Sequence, residues 1–208
     1  MTSFKNCKDY KLIAGVDEAG RGCCAGPLVV ASVIMPKNYV NERINDSKKL
    51  SPKQREILFD EIIDNCIDYY ILTLPAPYVD EYNPKQSSKN GMKICIDSLN
   101  AKPEVVITDF EKIDHLDIKQ INLVKGDSIS FNVACASVLT KVTRDRYMIK
   151  IADKYKEYEF EKHKGYCTKK HTDAIIKYGC KLTEHRLTYK NVIKAIDVIF
   201  ETMSQWIK

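Results

Sequence analysis

A chain of 208 residues is long enough for one sizeable core, or for one core with a helical appendage. With 44% hydrophobic residues, 29% charged residues and a mean hydropathy of −0.33, it has the composition of an ordinary soluble globular protein. No apolar run reaches the roughly 18 residues a membrane span needs, and Met1 to Asp9 lacks the apolar core of a secretion signal, so no membrane partner and a cytoplasmic location are expected.

The net charge of +5 is unevenly spread: Lys141 to Lys208 carries sixteen Lys and Arg against nine Asp and Glu, whereas the preceding residues hold 17 against 19. An acidic part followed by a basic tail suits a polyanion whose backbone must approach the acids, with nucleic acid the leading candidate and a solvated lysine-rich surface the alternative. The eight cysteines contain no C-x-x-C pair and no metal-ligand spacing. In a reducing compartment most of them, Cys66, Cys95 and Cys135 among them, are expected to fill core rather than form disulfides.

In chain order, Leu12 to Val16 reads as a short buried strand that runs into Asp17 and Glu18 and then Gly20-Arg21-Gly22. Neighbouring side chains on a regular strand face opposite ways, so the two acids share a site only if the strand ends or bulges there; an exposed turn is the alternative. Pro27 to Pro36 is a β-branched run that should pair with the first strand. That pairing rejects a dinucleotide site at Gly20-Arg21-Gly22-Cys23-Cys24-Ala25, because the loose G-x-G-x-x-A fingerprint must open a helix.

Ser51-Pro52-Lys53-Gln54 carries a cap, an N1 proline and a capping-box Gln, and predicts a helix with Ile57, Leu58, Phe59, Ile62, Ile63, Cys66 and Ile67 on its apolar face. A strand follows near Tyr69 to Leu74, then a helix over Ser87 to Leu99. Pro103 to Asp109 is a second apolar strand ending on a carboxylate. Ile121 to Asp127 is a weaker third, leading into a helix from about Ser128 to Arg144 or beyond, and a last helix spans Val192 to Ile207. This pattern is α/β, and in open α/β sheets strand ends are where sites assemble.

If those ends converge, Asp17, Glu18, Asp109 and Asp127 share a pocket whose mutual repulsion requires a proton or a cation. Oxygen-only donors favour Mg²⁺ or Mn²⁺ over zinc, and a pair of such ions suits phosphodiester hydrolysis. His115, His163, His171 and His185 have no ligand spacing and are assigned no catalytic role, with support of the Tyr166 loop considered for His163.

At this point the chain resembles the ribonuclease HII family. The resemblance is carried by Gly15 to Gly22, Asn45 to Ser51, Val106 to Asp109, Val124 to Ser128, Ala136 to Asp145 and His163 to Tyr166, in the family's order. It implies an RNase H-like fold, a central mixed five-stranded sheet flanked by helices, with residues 1–145 as catalytic core and 146–208 as a helical C-terminal part carrying a basic substrate-binding surface. It also implies cleavage of the RNA strand of RNA·DNA hybrids and incision 5′ to a ribonucleotide embedded in duplex DNA, leaving 3′-hydroxyl and 5′-phosphate ends. Asp17, Glu18, Asp109 and Asp127 are then the catalytic acids that bind two Mg²⁺ or Mn²⁺ ions. Gly20, Arg21 and Gly22 approach the 2′-hydroxyl, and Tyr166 stacks on the deoxyribose after the ribonucleotide. Ser47, Lys48 and Lys141 contact phosphates, and a monomer is expected.

The family usually has proline at the positions of Cys23 and Cys167, and its C-terminal pattern differs from Leu187 to Val192 here. Three alternatives are a ribonuclease HIII, disfavoured by the sixteen residues before Asp17, a non-catalytic nucleic-acid binder, and a metal-dependent phosphatase for small substrates.

Overall fold

In the computed structural model, which describes residues 9–44 and 50–206, the sheet is built outward from its central strand, β1 (Ile13–Ala19). β1 pairs antiparallel with β2 (Leu28–Ile34), from Ala14 opposite Ile34 to Ala19 opposite Val29. On its other side it pairs parallel with β4 (Val105–Asp109), which pairs parallel with β5 (Lys119–Leu123). β3 (Asp68–Leu74) lies beyond β2, giving the mixed order β3-β2-β1-β4-β5. β2 is buried at every position, as its unbroken apolar run requires of a strand covered on both faces.

Residues Met1–Ala19, Val29–Thr73 and Ser88–Thr143 form one compact unit. Gly20–Leu28, Leu74–Ser87 and Arg144–Lys208 form a second, which therefore draws on two internal segments besides the C-terminal residues.

In the first unit, α1 (Pro52–Asn65) starts at the capping box: the Ser51 hydroxyl accepts from the Gln54 N–H while the Gln54 side chain accepts from the Ser51 N–H. Leu58, Phe59 and Ile62 of α1 are buried with Ala31 and Val33 of β2 and with Val138, Leu139 and Val142 of α5 (Phe131–Lys154). Ile57 and Ile67, expected on the same face, are instead about half exposed.

The helix expected from Ser128 begins as a separate turn, α4 (Gly126–Ile129). Ser130 then takes extended backbone angles (φ −104°, ψ 124°) before α5 starts. α2 (Ala76–Tyr82) is absent from the sequence reading, and α3 (Pro84–Asp97) starts three residues earlier than expected.

The second unit packs Cys24, Ala25, Met148, Ile151, Tyr158, Phe160, Ile175 and Val192 into its own core. Its elements are a 3-10 turn (Lys156–Tyr158), α6 (Phe160–His163), α7 (Lys169–Tyr178) and α8 (Lys190–Trp206), together with α2 and the end of α5. No helix of the described residues is long and apolar enough to cross a membrane.

Candidate active site

Strand register brings the first two acids together. Val16 of β1 pairs with Thr108 of β4 in parallel, so the next residue along each strand is an aspartate: Asp17 and Asp109. β1 does not end or bulge at its acids, as the sequence reading requires for a shared site; it runs on regularly, with Asp17 opposite Ala31 and Glu18 opposite Val30. The link between these neighbours is instead local, the Glu18 N–H donating to Asp17 Oδ1 at 2.8 Å.

The third strand end comes in through a turn. After β5, Lys125 adopts a left-handed conformation (φ 59°, ψ 48°), and this directs the Gly126 N–H to Asp109 Oδ1 at 2.8 Å. Asp127, the next residue, is buried in the first turn of α4. A Cβ at Gly126 would be tightly placed, 3.1 Å from the Thr108 carbonyl oxygen and 3.2 Å from the Asp109 Cα, so a larger residue here would push on the strand that carries Asp109.

Asp17 is 7% exposed. Burial first, and then the charge of Glu18, hold its carboxyl well above the usual carboxylate range; Asp109 adds to this, against hydrogen bonds from the Ser137 side chain and the Glu18 N–H. A group in that position takes up positive charge, either a proton or a cation. Ser137, on α5, is a site residue that the sequence reading includes only as part of a motif. Among the described residues no three His, Cys, Asp or Glu side chains are gathered closely enough to hold a metal ion, so the four acids do not form a ready-made cage. The oxygen-only donor set nonetheless fits Mg²⁺, which keeps several waters and binds through one or two carboxylates. Lys141 of α5 is partly exposed in the same unit, and Ser47 and Lys48 lie outside the described residues.

In the second unit, the Gly20-Arg21-Gly22 segment is held by its carbonyls. Arg186 Nη1 (3.1 Å) and the Tyr189 hydroxyl (2.5 Å) both donate to the Arg21 carbonyl, and Arg186 Nε and Nη2 donate to Gly26. Arg144 donates to Pro27, Lys164 and Ala25. Arg144 and Arg186 are almost wholly buried, yet their fixed fork of donors suits a row of loop carbonyls. Gly20 has φ +92°, and a Cβ there would fall 2.1 Å from Arg144 Nε, so the loop fits only with glycine at this position. Sequence reasoning missed Arg144, Arg186 and Tyr189 because only the folded loop reveals carbonyls in need of donors.

Tyr166 belongs to this unit too and is 51% exposed, unlike a core tyrosine. The nearby Cys23 thiol, and then burial, push its phenol upward. Gly165 accepts from the Cys24 and Ala25 N–H groups, and this pairing brings Cys24 and Cys167 to a Cα separation of 5.6 Å in a disulfide. Most of the cysteines are expected to fill core, and this pair departs from that: the two residues are 143 apart in sequence, and only the pairing of their loops makes them neighbours. Cys95 and Cys135 are buried thiols pushed upward by burial, in keeping with core filler, whereas Cys66 is only half-buried.

Comparison with known proteins agrees with this architecture. The family model for ribonuclease HII matches residues 14–192. Ribonuclease HII of Mycoplasma mycoides subsp. mycoides is 50% identical over 183 residues, 88% of each chain. The ribonuclease H2 from Pyrococcus horikoshii OT3 matches with a TM-score of 0.80 at 29% identity, covering 91% of this chain and 99% of that one. Bst-RNase HIII in complex with Mn²⁺ shares the fold, with a TM-score of 0.71 at 19% identity over 91% of this chain and 70% of that one. This chain therefore belongs to the ribonuclease HII family and is a ribonuclease H-type endonuclease.

Proposed function

We propose that the enzyme hydrolyses the RNA strand of RNA·DNA hybrids and nicks duplex DNA on the 5′ side of an embedded ribonucleotide, leaving 3′-hydroxyl and 5′-phosphate ends. The observation that carries this reading is the β1–β4 register, which makes Asp17 and Asp109 neighbours while the Gly126-Asp127 turn is hydrogen-bonded onto Asp109. Asp17, Glu18, Asp109 and Asp127 are the residues that would hold two Mg²⁺ or Mn²⁺ ions. Two divalent ions, when bound, activate a water and stabilise the leaving oxygen of a phosphodiester.

The protein's own groups do the rest. Ser137 orients the Asp17 carboxyl. In the second unit, the Gly20-Arg21-Gly22 backbone, held at the Arg21 carbonyl by Arg186 and Tyr189, reads the 2′-hydroxyl, the one handle that separates RNA from DNA. Arg21 and Lys141 contact phosphate or sugar, as do Ser47 and Lys48. Tyr166, with half its surface exposed, stacks on the deoxyribose that follows the ribonucleotide. The enzyme acts as a cytoplasmic monomer on nucleic acid.

The test is a labelled duplex containing one ribonucleotide, incubated with Mg²⁺ or Mn²⁺. Nicking 5′ to the ribonucleotide is expected, and Asp17→Asn or Asp109→Asn should lower its rate roughly thousandfold while leaving binding intact. Binding by the wild-type protein with no nicking would overturn the proposal in favour of a non-catalytic binder.

A further inference from the structure

Three histidines with no meaningful spacing in the sequence converge in the second unit. The His163 and His171 rings stack with centroids 4.4 Å apart, and the His185 ring lies 5.2 Å from that of His171. His171 and His185 are fully buried. A single backbone amide fixes where their protons sit.

The Lys181 N–H can only donate, and it points at His185 Nδ1 at 2.8 Å, so Nδ1 carries no proton and neutral His185 is protonated on Nε2. That Nε2–H lies 3.1 Å from His171 Nε2, which must accept; the His171 proton is therefore on Nδ1, where it donates to the Tyr166 carbonyl at 3.0 Å. His163 is fixed in the same way, accepting the Gly165 N–H on Nδ1 and donating from Nε2 to the Tyr158 carbonyl. Every ring nitrogen has a partner, and the polarity of the chain from Lys181 to Tyr166 has one solution. Burial keeps His171 down to about 3 and His185 to about 4, in keeping with neutral rings.

The turn that starts this chain also grips the other substrate loop. Glu184 O accepts the Gly26 N–H, the Arg186 N–H donates to Cys24 O, and the Arg186 side chain donates to the Arg21 carbonyl. The relay ends on the carbonyl of the exposed tyrosine, which ties the buried rings to the loop that carries it.

We propose that His185 and His171 are positioning residues, a hydrogen-bond relay of fixed polarity that sets the Tyr166 carbonyl, and so the ring, relative to the Gly20-Arg21-Gly22 loop. This rests on the reading of Tyr166 as the group that recognises the RNA-to-DNA junction.

Imidazole ¹⁵N NMR of the wild-type enzyme at pH 7 should show His185 protonated on Nε2, His171 protonated on Nδ1, and a scalar coupling across the N–H···N bond between them. The opposite tautomer at either ring would overturn the relay even if no variant folds. In kinetics, His171→Ala should lower kcat/KM on a single-ribonucleotide duplex about tenfold, with a uniform RNA·DNA hybrid affected less than about threefold. His171→Asn, whose amide replaces the Nδ1 donor, should restore most of the loss. Equal losses on both substrates, or an Asn variant no better than Ala, would overturn the proposal. Tyr166→Ala, measured alongside, separates the two failures. If it is not junction-selective, the reading of Tyr166 falls and takes the proposal with it; if it is selective and His171→Ala is not, the relay alone falls.

Discussion

Single residues decide the chemistry because their environments differ so sharply. Asp17 is an acid in the middle of a sheet, pushed upward by burial and by Glu18, whereas Tyr166 offers half of its surface to solvent. If that surface stacks on a sugar, Tyr166→Ala should reduce junction incision by about tenfold and hybrid cleavage by much less, as compared through kcat/KM on the two substrates. Equal losses would remove the stacking role. The buried imidazoles make a separate prediction. His171 and His185 ordinarily titrate near 6.5 but are held down to about 3 and about 4 in the folded protein, by burial first and with repulsion from Lys181 and His163 at His185. The folded state therefore binds fewer protons than the unfolded chain in mild acid. Their contribution is complete above about pH 6.5 and is lost as the pH falls towards the folded values, by at most about 1.4 kcal/mol per pH unit for each ring. Urea unfolding between pH 7 and pH 5 measures the slope, and His171→Asn should make it shallower. A slope unchanged in that variant would contradict the assignment.

At the level of elements, the site depends on how closely α5 lies on β1. A Cβ on Gly15 would meet the backbone carbon of Asn132 at 2.1 Å, and the Asn132 side chain donates to the Ile13 carbonyl, so helix backbone rests directly on the strand that carries Asp17. Gly15→Ala should therefore destabilise by about 1–3 kcal/mol and lower the melting temperature by several degrees, as thermal unfolding would show. Nicking should fall too, since β1 must shift with its acids. The strands and the start of α1 are legible in the sequence because their signals are local: β-branched runs, bounding prolines and a capping box. The break at Ser130 is not. There the chain turns α4 towards Asp109, and contacts with a distant strand override the continuous helical pattern of residues 128–144.

On the scale of the whole molecule, the Cys24–Cys167 link closes a long stretch of chain, 143 residues in sequence separation. A cross-link of this kind stabilises mainly by restricting the unfolded chain, typically by about 2–4 kcal/mol. Cys167→Ser should cost about that much, and a reductant should lower the wild-type stability to the level of the variant while leaving the variant unchanged. Denaturation with and without dithiothreitol reads this directly, and a wild type indifferent to reductant would refute it.

The sequence by itself determined the sheet-forming runs and the family, because these signals lie within short windows and in blocks that keep their order; of the four acids only Asp109 stands at the last residue of its strand. The tertiary structure alone decided which residues support those acids and loops. Ser137, Arg144, Arg186 and Tyr189 each serve a carboxyl or carbonyl far away in the chain, and His185 meets the Tyr166 carbonyl only through His171. A donor's role is set by the acceptor that folding brings to it, and no local pattern encodes that partner.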